Sequence, residues 1–266
     1  MEQLQIREAA GKGGKLCLKI GEVECKCSLH TFYITRARES IAELTSQIAE
    51  ATTKLADTIT GGMNGNGNHA IYERMQELEQ QVDATEQALS LGFDSLRLNP
   101  WARSVRSQIA DYPEVLTAIN RIVRQLRRIA YTVNDVPVPW RVIVHEQEWA
   151  QVDAQLLRSI SGILAWIAHS LSTFSTTTSA QDNNAVHANL ERKEQVRATL
   201  DTAFQQLISC EEALLHNEIA DDLVSMQGED SPLSKGHILS LRGAILTDLR
   251  RILQELSEIL AVLPPR

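Results

Sequence analysis

Asp111–Val133 reads DYPEVLTAINRIVRQLRRIAYTV, and the spacing of its apolar residues decides the fold. Val115, Ile119, Ile122, Leu126, Ile129 and Val133 recur at steps of three and four, which places them on one face of a helix. Asp111 is a good N-cap, and Pro113 is tolerated in a first turn, where its missing N–H costs nothing. Val123 and Ala130 add a second apolar line, making the buried face wider than a strict coiled-coil seam.

The same period runs outward in both directions. Toward the C-terminus, NDVPVPW (Asn134–Trp140) stops this helix, because residues that precede proline avoid the helical region. A fourth helix follows from about His145 to Phe174, with Trp149, Val152, Leu156, Ile160, Ile163 and Ile167 inward and Leu157 and Leu164 beside them. A fifth, from about Ala185 to Ile219, buries Val196, Leu200, Ala203, Leu207, Cys210 and Leu214, and a sixth buries Ile238, Leu241, Ile245, Leu249, Ile252, Leu256 and Ile259. Toward the N-terminus, Ile71, Met75, Leu78, Val82 and Leu89 mark one helix ending near Phe93. Ile34, Ile41, Leu44, Ile48, Leu55 and Ile59 mark another, from about Tyr33 to Thr60. The connections GGMNGNGNH (61–69), STTTSAQDNN (175–184) and SMQGEDSPLSKG (225–236) carry turn and loop residues. The expected fold is all-α, an up-and-down bundle of about six long helices. Before it, KLCLKIGEVECKCSL (Lys15–Leu29) alternates with period two, which predicts a small N-terminal β-hairpin turning at Gly21. The expected organisation is an N-terminal segment, 1–30, and a helical bundle, 31–266, with any subdivision near 134–144. No repeat of fixed period runs through the chain.

Composition narrows the functional classes. The chain has 266 residues and a net charge of −8, which argues against broad binding to nucleic acid or anionic membrane. No run reaches the ~18 apolar residues of a membrane span, and MEQLQIREAAGKGGK lacks the apolar centre of a signal peptide. Direct membrane insertion is therefore not expected, and four cysteines without a secretory signal fit reduced thiols in the cytoplasm.

Three constellations carry chemistry worth weighing. Cys25-x-Cys27-x-x-His30, with Cys17 upstream, is the one cluster that resembles metal ligands. Its single-residue gap is atypical of zinc sites, so packing of small apolar cysteines is the better reading and no metal is expected. Arg121, Arg124 and Arg128 share one helix face, with Arg103, Arg106 and Arg127 nearby. They form either a face for carboxylates or phosphates, or a solvated face paired with acids of neighbouring helices. Trp101, Trp140, Trp149 and Trp166 fall near helix starts or on apolar stripes, where packing accounts for them. No nucleophile elbow, phosphate loop, dinucleotide fingerprint or His-Glu metal motif occurs, so no catalytic residue and no cofactor is assigned.

One stretch, ALSLGFDSLRLNPWARSVRSQIADYPEVLTAINRIVRQLRRIAYTV (88–133), resembles the cytosolic helical region of the fusaric acid resistance (FUSC) and aromatic acid exporter family. Plant aluminium-activated malate transporters show a similar corner. Pro100-Trp101 looks like that corner, Tyr112 begins the next helix, and LRRIAYTV (126–133) is similar to the family's arginine-then-tyrosine ending. Asn99 stands where the family often has an acid, and the family's transmembrane helices have no counterpart here. The resemblance covers about a fifth of the chain in motif and most of it in helix layout. It implies a non-enzymatic domain at the cytoplasmic membrane face, acting in assembly or regulation. Its partners would be a second copy or the membrane helices of a parent transporter. Two alternatives stand beside it: a domain that senses an organic anion through the Pro100-Trp101 corner and the arginines Arg121, Arg124 and Arg128, and a helical scaffold unrelated to transport.

Overall fold

Six α-helices make up nearly all of the described residues in the computed structural model: α1 (Val23–Thr60), α2 (Gly65–Arg97), α3 (Tyr112–Asp135), α4 (Gln147–Ser179), α5 (Val186–Val224) and α6 (Lys235–Val262). The structure describes residues 23–60, 65–97, 110–135, 147–179, 186–224 and 235–262. The fold is an all-α bundle. Residues 15–22 of the expected β-hairpin lie outside the described residues, whereas Val23–Leu29, its second strand, are the opening turns of α1. A run of four alternating residues is a weak local signal beside a helix of 38 residues, and an isolated hairpin is marginal in water.

The apolar stripes close on one another in a single core. Ile41, Ile48, Leu78, Ile119, Leu126, Ile163, Ala203, Leu207, Ile252 and Leu256 are all buried within it. α3 begins where its cap predicts: the Val115 N–H donates to the Asp111 carbonyl at 3.1 Å, the first bond of the helix. Tyr112, its first residue, is buried, and its hydroxyl accepts a 2.6 Å hydrogen bond from Arg38 Nε, which ties the start of α3 to α1.

Neighbouring helices form a ring in the order α1, α2, α3, α6, α5, α4 and back to α1, with α1 also touching α3 and α4 touching α6. This pattern maps onto itself when α1, α2 and α3 are exchanged for α4, α5 and α6, so the bundle is two three-helix units related by a pseudo-twofold axis. Burial follows the same rule. Ile41, Leu44, Ile48 and Leu55 of α1 match Ile160, Ile163, Ile167 and Phe174 of α4, a shift of 119 (41 to 160). Ile71, Met75, Leu78 and Val82 of α2 match Val196, Leu200, Ala203 and Leu207 of α5, a shift of 125 (71 to 196). Val115, Ile119, Ile122, Leu126 and Ile129 of α3 match Ile245, Leu249, Ile252, Leu256 and Ile259 of α6, a shift of 130 (115 to 245).

The α1–α4 pair shows why the halves lock in this register. Ala42, Ala49 and Ala56 are spaced by seven on α1, and Ser161, Ala168 and Ser175 by seven on α4. Small side chains on both surfaces let the backbones approach closely. Ser175 Oγ donates to the Ala42 carbonyl at 2.6 Å, and Ser161 Oγ donates to the Ala56 carbonyl at 3.0 Å. The two bonds are pseudo-equivalent and fix the helices antiparallel. Thr45 and Thr52, buried on the same helix, satisfy their hydroxyls on the carbonyls four residues back.

Candidate functional site

The arginines that face outward on α3 are held between two neighbours. Toward α2, Arg124 Nε donates to Glu79 Oε1 at 3.1 Å, Arg127 lies 2.6 Å from Glu79 Oε2, and Asn120 Nδ2 donates to Asp83 at 3.1 Å. Toward α6, Arg121 reaches Glu255 at 3.3 Å and Arg128 reaches Asp248 Oδ1 at 2.5 Å. Alternation of these partners follows from the helical period: 121 and 128 are seven residues apart on one edge of α3, and 124 and 127 lie on the other. The sequence therefore placed three of these arginines on one face, and the structure divides that face between two helix interfaces.

The outer seam between α3 and α6 holds two clefts. The larger, about 490 Å³, lies between the second half of α3 and the first half of α6, where Arg127, Arg128, Arg251 and Asp248 meet Tyr72 and Tyr131. The tyrosine rings pair at 5.8 Å between centroids with a 57° tilt. The smaller, about 300 Å³, lies at the other end of the seam, where Arg121 meets Glu114, Glu255 and Glu258. By lining charge the first cleft is +2, from three arginines and one aspartate, and the second is −2, from one arginine and three glutamates.

Asp248 is the pivot of the basic cleft. Burial raises its pKa, opposed by Arg128 through charge and a hydrogen bond and by the charge of Arg251. Arg251 lies 4.0 Å from the same carboxylate, so two guanidiniums share one acid. Arg251 is the pseudo-equivalent of Arg121, but the residue matching Arg121's partner Glu255 is the neutral Gln125 (shift 130). Charge that is cancelled in one cleft thus remains in the other. Chemically, clustered guanidiniums beside tyrosine rings suit a carboxylate or phosphate, which arginine grips with two parallel hydrogen bonds.

Other candidate residues are distributed differently. Pro100 and Trp101 lie outside the described residues, while Tyr112 serves the α1–α3 contact. Cys25, Cys27 and His30 fall in the backbone of α1, and their side chains lie outside the described residues. Among the described residues no group of three or more His, Cys, Asp or Glu is placed to hold a metal ion. Trp166 packs partly against the core. Cys210 is buried, and burial pushes its thiol above the ordinary value, against a hydrogen bond with Ser159. Asp248, Arg251 and Glu79 were not singled out from sequence as a site. The available signal was the polar spacing of Thr247, Arg251, Glu255 and Glu258 on α6, which mirrors that of Thr117, Arg121, Gln125 and Arg128 on α3.

No family model, curated protein or solved structure matches the chain. Among the described residues no helix is long and apolar enough to cross a membrane.

Proposed function

We propose that the chain works without catalysis of its own, as a helical domain that assembles or regulates a larger transport-type protein at the cytoplasmic membrane face. The resemblance of residues 88–133 to the FUSC and aromatic acid exporter region motivates the transport context. The observation that carries the association role is the α3–α6 seam. Its arginines weld α2, α3 and α6 through Glu79, Glu255 and Asp248, and its outward surface keeps charge of both signs in separate places. A rigid surface with patterned charge selects a partner and its orientation. Light scattering coupled to size exclusion tests this on the isolated chain, alone and mixed with candidate membrane-domain segments. Assembly in either case supports the reading, and a monomer that engages neither counts against it.

A second reading, sensing of an organic anion, is favoured by the basic cleft of Arg127, Arg128 and Arg251. Thermal shift against aromatic and dicarboxylic acids separates the two. A rise in melting temperature that Arg251→Gln abolishes favours sensing, and no shift across the panel removes it.

A further inference from the structure

The pseudo-twofold axis passes between α3 and α6, so the two clefts are built on one framework from matching positions. Thr117 and Arg121 of α3 occupy the places of Thr247 and Arg251 of α6 (shift 130). What differs is charge. Arg128 in the basic cleft stands where Glu258 stands in the acidic cleft, and Ala244 stands where Glu114 stands. The two clefts therefore share a backbone framework, differ in size and carry opposite sign.

From this we infer that the outer α3–α6 seam is a self-association surface, whose occupant is the same seam of a second copy of this chain. The inference rests on the association reading above and names its partner. A twofold axis lying across the seam, in the plane of contact, places the basic cleft of one copy over the acidic cleft of the other. The same operation places the acidic cleft over the basic one. The result is two identical contacts and a closed dimer, with no unsatisfied copy of the surface left to extend a filament. Charge complementarity is the reason for choosing a second copy. The lining charges +2 and −2 cancel within the dimer, whereas each chain carries −8 overall and repels an indiscriminate approach. The side chains are available for it: Arg121, Arg128 and Arg251 are each more than half exposed despite their internal pairings.

Sedimentation velocity on the full chain tests the inference. At about 0.1 M salt the Debye length is about 10 Å, so the overall repulsion between copies is damped while charges in contact still act. The expected result is a dimer at about 0.1 M salt that dissociates toward monomer at about 1 M, where the Debye length is about 3 Å. Arg251→Glu and Glu258→Arg should each weaken the dimer by roughly two- to thirtyfold, because every substitution enters both contacts. The double variant Arg251→Glu/Glu258→Arg brings both clefts to zero lining charge, so it should associate no better than either single variant, and recovery of the wild-type affinity overturns charge complementarity as the driving force. Both residues are exposed, so the variants keep the fold, which an unchanged thermal midpoint verifies.

A monomer at about 1 mM chain, where even a millimolar Kd gives substantial dimer, overturns the inference and self-association with it. A dimer indifferent to both single substitutions overturns the seam while leaving association intact. A chain that stays monomeric but binds phosphate one-to-one, with binding lost in Arg251→Glu, also overturns it and assigns the basic cleft to a small anion.

Discussion

Replacing Ile48 or Ile167 by alanine tests both the core and the pseudo-twofold relation at once. The two residues are equivalent positions on α1 and α4, and both are 0% exposed. Isoleucine to alanine removes three carbons, about 2.4 kcal/mol at roughly 0.8 kcal/mol per buried carbon. The cavity left in a packed interior adds to this, giving about 3–4 kcal/mol for each site. For a chain of this size that corresponds to a fall in melting temperature of roughly 6–16 °C, at about 2–4 °C per kcal/mol. Ile208 on α5 is the control: it is 40% exposed, so alanine there should cost less than about 1 kcal/mol. Urea unfolding followed by far-ultraviolet circular dichroism measures all three, with the midpoint reporting stability and the slope checking that the unfolded state is unchanged. A cost below about 1.5 kcal/mol at either core site, or a difference above about 1 kcal/mol between them, refutes the equivalence. A cost at Ile208 as large as at Ile48 refutes the assignment of the outer α5 face to solvent.

Other perturbations probe the contacts that fix register and charge. Ser161→Ala and Ser175→Ala each remove one hydroxyl bond between α1 and α4 and should cost about 0.5–1.5 kcal/mol, adding in the double variant because the bonds lie two turns or more apart; a strongly non-additive urea result contradicts two independent register bonds. Gly162→Ala should stabilise by about 0.5–1 kcal/mol, since a Cβ there meets nothing within 4 Å and the residue is inside α4; a loss of stability in thermal melts refutes it. Burial, the larger influence on Asp248, raises its pKa, so its contribution to stability is greatest below the ordinary carboxylate value, falls as pH rises through the raised value, and is level above it. Asp248→Asn removes that fall, so the variant should gain on the wild type between mildly acid and neutral pH; parallel stability curves for the two proteins contradict the assignment. Cys210 should resist alkylation in the folded chain and react after denaturation, read by peptide mass spectrometry, because its thiol is buried and its pKa raised; rapid labelling of the native chain refutes this.

The helices were legible because long amphipathic segments carry their period in plain sight. Val115, Ile119, Ile122, Leu126, Ile129 and Val133 are all buried, as the spacing of α3 requires. Leu214 and Leu241 sit less deeply than their stripes predict, each near the end of the described part of its helix. The pseudo-twofold relation was not legible. Its shift changes from 119 to 125 to 130 along the chain because matched helices and connections both differ in length, so no fixed period exists to detect. The seam was only half legible. Spacing shows that Arg121, Arg124 and Arg128 share a face, but the partners Glu79, Asp248 and Glu255 lie 45, 120 and 134 residues away from them. Which acid meets which arginine depends on how antiparallel helices slide past one another, and that is set by packing such as the Ala42–Ser175 contact rather than by charge.

Comparing equivalent positions in the two halves separates what packing demands from what the surface is free to choose. Buried positions keep their character: isoleucine faces isoleucine at 48 and 167, at 122 and 252, and at 129 and 259. Seam positions change, and most change in one direction. Arg127 against Ser257, Arg128 against Glu258, Ala244 against Glu114 and Gln125 against Glu255 each make one cleft more positive or the other more negative. Surface positions drifting without constraint would scatter in sign. The exception is Asp248, which faces Ala118 and adds a negative charge to the basic cleft. Its carboxylate offsets part of the charge of Arg128 and Arg251, while Arg127 beside them pairs with Glu79. One buried acid shared by two arginines holds the cluster together while leaving the cleft positive.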